Sequence, residues 1–268
     1  MSKLFSEYIS LLAEKDIHVS SEKIQPISTD DALIVVDFQN DFVPAEYAND
    51  GGRFGVNDGQ NAFPATLDLI RFFTDKKCTI LASKDYHPED HCSFTPYGGP
   101  FPPHCVQGTA GAENHADLHI IYKSFMKETD SFSSFPYTQE LAENRISYKS
   151  DFLCWTGGYE LKSSTSSIDI DSKPDVSSIL NRIPTTTILE GKKRVFVCGL
   201  AFDFCVFDTA IGASMNGFET YIVMDATRAA HIPGVGSEGS GFLSSISEIK
   251  EKLTKYNIHL VYSDTILA

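Results

Sequence analysis

The sequence predicts an α/β protein, a six-stranded, mainly parallel sheet with helices on both faces. Three observations predict it. Six short apolar runs rich in β-branched residues recur along the 268 residues, and runs of this kind read as strands buried on both faces. Helical patterns or long crossovers separate them, which is the connection parallel strands need. Several runs end in a chemically capable residue, at the carboxyl edge where open sheets of this kind bind ligands. A single Rossmann-like domain over 31–268, preceded by a helical extension over 1–30, accounts for the length.

The elements follow in order. Residues 3–15 place Leu4, Tyr8, Leu11 and Leu12 on one helical face, which predicts an added packing helix. Asp31–Asp37 is the first strand run. Residues 62–76 carry Leu67, Leu69, Ile70, Phe72 and Phe73 at helical spacing. Cys78–Ser83 is the second run, followed by Lys84 and Asp85, and Leu118–Lys123 is the third. Arg194–Cys198, Glu219–Asp225 and Ile258–Tyr262 are the fourth, fifth and sixth, with helices expected at about 203–215 and 243–255. Between the third and fourth runs, 141–193 is rich in Ser and Thr and breaks the pattern. It reads as an inserted excursion, with a lid or an oligomer contact as alternative roles.

A formal net charge of −14 with no basic block argues against nucleic acid or an anionic membrane as partner. No run is long enough to span a bilayer, and residues 1–16 have no signal-like apolar core. The six cysteines form no CxxC pair, so a reducing, intracellular and cytoplasmic setting is expected rather than a disulfide framework.

Asp37, Asp85 and Lys123 stand at strand ends, and Cys205 follows the fourth strand in Gly199-Leu-Ala-Phe-Asp-Phe-Cys205-Val206. A cysteine near a helix start meets unpaired N–H groups and positive partial charge, which favour the reactive thiolate. A small buried core residue is the competing reading of Cys205 alone; four capable groups on one sheet edge weigh against it. Asp85 and His87 are two apart and point to one side in an extended segment, and His104 follows two stiffening prolines. Two imidazoles and a carboxylate suit Zn²⁺, Fe²⁺ or Mn²⁺. Cys105 is a rival ligand expected to point away. His119 and His259 fall inside strand runs, and His115 and His231 in loops.

Together, Asp37-Phe-Gln-Asn-Asp-Phe42, Asp85-Tyr-His87-Pro with His91-x-Ser-Phe94, Pro103-His104-Cys-Val-x-Gly108, Tyr122-Lys123 and Gly199-Leu-Ala-x-Asp-x-Cys205-Val resemble the nicotinamidases of the isochorismatase-like cysteine hydrolases. The motifs run in one order from about 31 to 265. The cysteine separates them from the isochorismatase branch, and the Asp-x-His…His set from metal-free amidases.

The resemblance implies a Cys205–Asp37–Lys123 triad, with Cys205 as nucleophile toward the amide of nicotinamide, Asp37 as general base then acid, and Lys123 holding the pair in its charged form. The product would be nicotinate, formed through a thioester for NAD salvage. It implies one divalent metal, zinc foremost with iron or manganese also fitting, on Asp85, His87 and His104. His91 would orient a ligand from behind. It implies an oxyanion hole at the N–H groups of Ala201 and Cys205, a cis peptide at Leu200–Ala201, and ring contacts from Phe42 and Phe101. This sequence has Phe101 where the family usually has tryptophan, Ser124 where it has glycine after the lysine, and Phe202 where it has threonine. Asp41 and Asp203 are supporting residues, or a turn cap and a helix-start carboxylate. The alternatives are an amidase for another small aromatic amide, such as pyrazinamide, and a catalytically silent binder. A homo-oligomer is compatible with all of these.

Overall fold

Five of the six apolar runs form strands, because β-branched and apolar side chains on both sides of each strand can be covered only inside a parallel sheet. The computed structural model describes residues 2–48, 50–85, 87, 89, 94–97, 101–115, 127–129, 189–232 and 245–268. The elements are α1 (Lys3–Ala13), β1 (Asp31–Val36), α2 (Phe63–Asp75), β2 (Thr79–Ser83), β3 (Lys127–Thr129), β4 (Arg194–Leu200), α3 (Phe207–Met215), β5 (Glu219–Arg228), α4 (Ile246–Lys255), β6 (Ile258–Val261) and α5 (Asp264–Leu267). The sheet order is β3-β2-β1-β4-β5-β6, and every pairing along it is parallel.

The run Leu118–Lys123 lies outside the described residues. Among the described residues the strand beside β2 is the three-residue β3, paired from Leu81↔Lys127 to Ser83↔Thr129.

The period-two rule decides which helices each strand meets. In β1, Ala32, Ile34 and Val36 face a core with residues of α1, α3 and α4. Leu33 and Val35 face a second core with residues of α2 and α5. α1 is shorter than its sequence pattern and is capped by Ser2, whose Oγ accepts from Phe5 N at 3.2 Å. α4 is capped likewise by Ser245, which accepts from Glu248 N at 3.1 Å. Leu189, inside the stretch assigned to the excursion, is fully buried in the first core.

The strand order reverses between β1 and β4, the place where α/β sheets of this order open a crevice for ligands. Gly199 is what lets those two strands meet there. Its φ is +111°, and a Cβ on it would lie 2.0 Å from the Val36 carbonyl oxygen, so no other residue fits.

Candidate active site

β1 ends at Val36, so Asp37 follows it at the strand-order switch point between β1 and β4. Asp37 has a positive φ of 46° and no exposed surface; aspartate is one of the few non-glycine residues that tolerates this region. Ser83, the last residue of β2, fixes it. Ser83 Oγ donates to Asp37 Oδ1 at 2.6 Å, and Asp37 N donates back to the Ser83 carbonyl at 3.2 Å.

β4 leads through Leu200–Ala201, a cis peptide as the resemblance implied, into the turn that carries Cys205. The expected helix over 203–215 is corrected here. The regular α3 begins only at Phe207, and Phe202–Val206 is an irregular turn kinked at Phe204 (φ −128°, ψ −115°). Two backbone bonds converge on one acceptor and set its shape: Phe204 N and Val206 N both donate to the Ala201 carbonyl, at 3.1 and 3.2 Å. Asp203 fastens the turn to the end of β5 by accepting from Ala230 N at 2.7 Å and His231 N at 2.8 Å. It is therefore a strut between segments rather than a helix cap. Burial pushes its pKa up to about 7 against the lowering effect of those backbone bonds. Cys205 itself is half-buried.

β2 leads through Lys84 to the metal set. The ligand atoms of Asp85, His87 and His104 all lie within 4.8 Å of one another, and all three residues are buried. Asp85 Oδ2 is 2.8 Å from His87 Nε2 and 3.2 Å from His104 Nε2. Burial alone would raise the Asp85 pKa, but His87 and His104 outweigh it and hold the carboxyl well below the usual range. His104 Nδ1 donates to the Pro102 carbonyl at 2.7 Å, which aims Nε2 at the carboxylate. That is how proteins orient a metal-binding imidazole. The donor set and its outward hydrogen bond fit a divalent cation held by N and O ligands.

The two ligand-bearing segments are stitched together: His87 N donates to the Cys105 carbonyl at 2.9 Å, and Gln107 N to the His87 carbonyl at 2.8 Å. Cys105 stands apart from the ligand set, packed in the second core. Its thiol is raised by burial and by the carboxylates of Asp85, Asp41 and Asp37.

Asp41 proves to be a support. It is fully buried, and its Oδ2 accepts from Cys105 N at 2.7 Å while Oδ1 accepts from Arg53 Nη1 at 3.0 Å. Gly111 makes room for it, since a Cβ there would sit 2.1 Å from Asp41 Oδ2. Lys123 and His91 lie outside the described residues.

Sequence reasoning missed three contributors. Gln39, fully buried, grips Asp85 on both sides of its backbone. Its Nε2 donates to the Asp85 carbonyl at 2.7 Å and to the Ala112 carbonyl at 2.8 Å, while Asp85 N donates to its Oε1 at 2.6 Å. The signal was present, two residues beyond Asp37, but spacing alone does not say what an amide will hold. The other two are rings. Phe54 lies 5.1 Å from His104 at 30°, and meets Phe42, Phe101 and Phe204 edge-on at 6.1, 5.8 and 6.1 Å. Phe42 and Phe101 were expected here, whereas Phe54 and Phe204 are brought in by loops that carry no periodicity.

The isochorismatase domain family matches residues 31–146 and 164–234. The nicotinamidase of Acinetobacter baylyi is 31% identical over 225 residues, covering 76% of this chain and 83% of that protein. The nicotinamidase/pyrazinamidase of Mycobacterium tuberculosis is 32% identical over 199 residues, covering 73% and 85%. Among solved structures, the L. infantum protein in complex with nicotinate superposes with TM-score 0.60 at 27% identity, over 91% of this chain and 98% of that one. The Pyrococcus horikoshii pyrazinamidase in complex with zinc does so with TM-score 0.56 at 29% identity, over 87% and 99%. With its fold, its strand-order switch point and this extent of match, the chain belongs to the isochorismatase domain family.

Proposed function

We propose that this protein is a nicotinamidase, hydrolysing nicotinamide to nicotinate and ammonia with Cys205 as nucleophile. The observation that supports the reading is that Asp37, the Cys205 turn and the Asp85–His87–His104 set follow the carboxyl ends of β1, β4 and β2, three neighbouring strands. The names of the A. baylyi and M. tuberculosis relatives support it.

In this reading Asp37 takes the Cys205 proton, and the sulfur bonds to the amide carbon. The carbonyl oxygen takes up negative charge against the N–H groups of Ala201 and Cys205. As the C–N bond breaks, Asp37 gives its proton to the leaving nitrogen, so ammonia departs and a thioester remains on Cys205. Water then adds with Asp37 as base, and nicotinate and the thiol are released. Ser83 keeps Asp37 aimed by its 2.6 Å bond. Lys123 holds the charged pair by Coulomb attraction.

Asp85, His87 and His104 would hold one divalent ion, zinc foremost, which when bound offers the pyridine nitrogen a Lewis-acid or polarised-water contact. Phe42, Phe54, Phe101 and Phe204 would enclose the planar ring. A wall of phenylalanines senses ring shape more than ring substitution, and this favours pyrazinamide as a second substrate. The role would be NAD salvage in the cell interior. Among the described residues no helix is long and apolar enough to cross a membrane.

The test is release of ammonia and nicotinate by metal-loaded protein, by chelated protein and by Cys205→Ala. Turnover abolished in the variant and reduced by chelation is expected. Wild-type protein that is inert on nicotinamide, or an aliphatic amide turned over faster, overturns the reading.

A further inference from the structure

α1 precedes the residues matched by the family, which begin at 31, yet it is docked on the turn that carries Cys205. Two fastenings hold it there. At its start, Ser2 Oγ and Asn61 Nδ2 both donate to the Asp58 carboxylate. That carboxylate also accepts from Arg228 Nε at 2.8 Å, and the Arg228 guanidinium lies 4.4 Å over the Phe5 ring. Arg228 is buried and pairs in register with Leu200, at the entry to the turn.

One helical turn further on, the Tyr8 ring meets Phe202 edge-on at 6.0 Å and 73°, and Phe202 in turn meets Phe207 at 5.6 Å and 85°. Phe202 has no exposed surface and lies in one core cluster with Phe5, Tyr8, Leu12, Val206 and Phe207. The helix thus meets the turn at Phe202, three residues from Cys205 and directly after Ala201.

We propose that α1 braces the nucleophile turn, and that Tyr8 is a positioning residue acting on Cys205 through the Phe202 ring. An aromatic edge packed against a buried ring restricts the turn in a way an aliphatic side chain does not. Small displacements of a nucleophile cost rate rather than binding. The Tyr8 hydroxyl has no hydrogen-bond partner among the described residues, so the ring carries the effect. The inference rests on Cys205 being the nucleophile of the proposed amidase.

The test uses the full-length, metal-loaded protein with Tyr8→Leu, Tyr8→Phe and Leu253→Ala. Leu253 is a buried α4 residue of the same core cluster, on a helix far along the chain from the turn. Three readouts are taken: kcat and KM on nicotinamide, thermal midpoint, and the pH dependence of iodoacetamide labelling at Cys205, read by mass spectrometry of its peptide. Expected for Tyr8→Leu is a kcat lower by about tenfold, KM within about twofold and an altered labelling profile. Tyr8→Phe should match wild type, and Leu253→Ala should lose thermal stability with its labelling profile unchanged.

The proposal is overturned if Tyr8→Leu labels and turns over as Leu253→Ala does, or if Tyr8→Phe is as damaging as Tyr8→Leu. Should Tyr8→Leu not fold, Phe5→Leu, which loosens α1 from Arg228, is read against the same control. If the wild type proves inert on nicotinamide, the function fails on that result alone, and the labelling comparison still decides whether α1 braces Cys205.

Discussion

Replacing Gln39 by alanine tests how the metal set is held. Three hydrogen bonds vanish together: Nε2 to the Asp85 carbonyl at 2.7 Å, Nε2 to the Ala112 carbonyl at 2.8 Å, and Asp85 N to Oε1 at 2.6 Å. At a net ~1 kcal/mol each the loss is ~3 kcal/mol, approaching ~5 kcal/mol if the orphaned Asp85 and Ala112 backbone groups stay dry. That is a large share of the ~5–15 kcal/mol that holds a domain folded, so the variant should fold with a thermal midpoint lowered by about 6–12 °C. The more specific consequence concerns Asp85. Released from its clamp, the carboxylate samples orientations that no longer face His87 and His104, and affinity for a divalent ion should fall by about 10–100-fold. Gln39→Glu should bind metal worse than Gln39→Ala, since a carboxylate would then face the Asp85 and Ala112 carbonyls where an N–H₂ had stood. The assay is zinc competition against a chromophoric chelator, run beside urea unfolding. Metal affinity within about twofold of wild type in a destabilised Gln39→Ala would refute the reasoning, since Gln39 would then support the fold without orienting the ligand.

Two further outcomes follow from the same geometry. Phe54→Ala removes the ring that touches Phe42, Phe101, Phe204 and His104, and KM for nicotinamide should rise by about tenfold, the equivalent of one good ring contact, with kcat less affected; an unchanged KM in steady-state kinetics would place Phe54 outside the substrate pocket. Asp203, with its pKa raised to about 7 by burial, holds its proton more tightly folded than unfolded. Its contribution to stability is therefore greatest at low pH and is lost as pH rises from about 4 toward 7. Asp203→Asn should remove that slope in urea-unfolding free energies measured across the window, and an identical slope in the variant would assign the dependence to other groups.

How much was legible in the sequence differs from residue to residue. The α/β class and its central strands were legible because a strand buried on both faces has to be written as an unbroken apolar run, as in Leu33 to Val36. The metal residues were legible because Asp85 and His87 sit close in the chain and chemistry restricts what such a set can bind. The α3 start was not, since Asp203 is drawn to Ala230 and His231, and a bond across 27 residues leaves no trace in local periodicity. Phe54 and Phe204 were likewise invisible, because a phenylalanine in a loop reads the same whether it faces a ligand or a neighbour.

By itself the sequence determined the kind of sheet, the family and the identity of the groups able to do chemistry, because these depend on side-chain type and on order along the chain. The tertiary structure decided which groups meet. It put the strand-order reversal between β1 and β4, where only a glycine at 199 allows the approach. It turned Gln39 and Asp41 from motif letters into clamps on Asp85 and Cys105. It also laid α1 against Phe202, a contact across nearly two hundred residues. Burial and directional hydrogen bonding are properties of assembled surfaces, and they exist only once distant segments have been brought together.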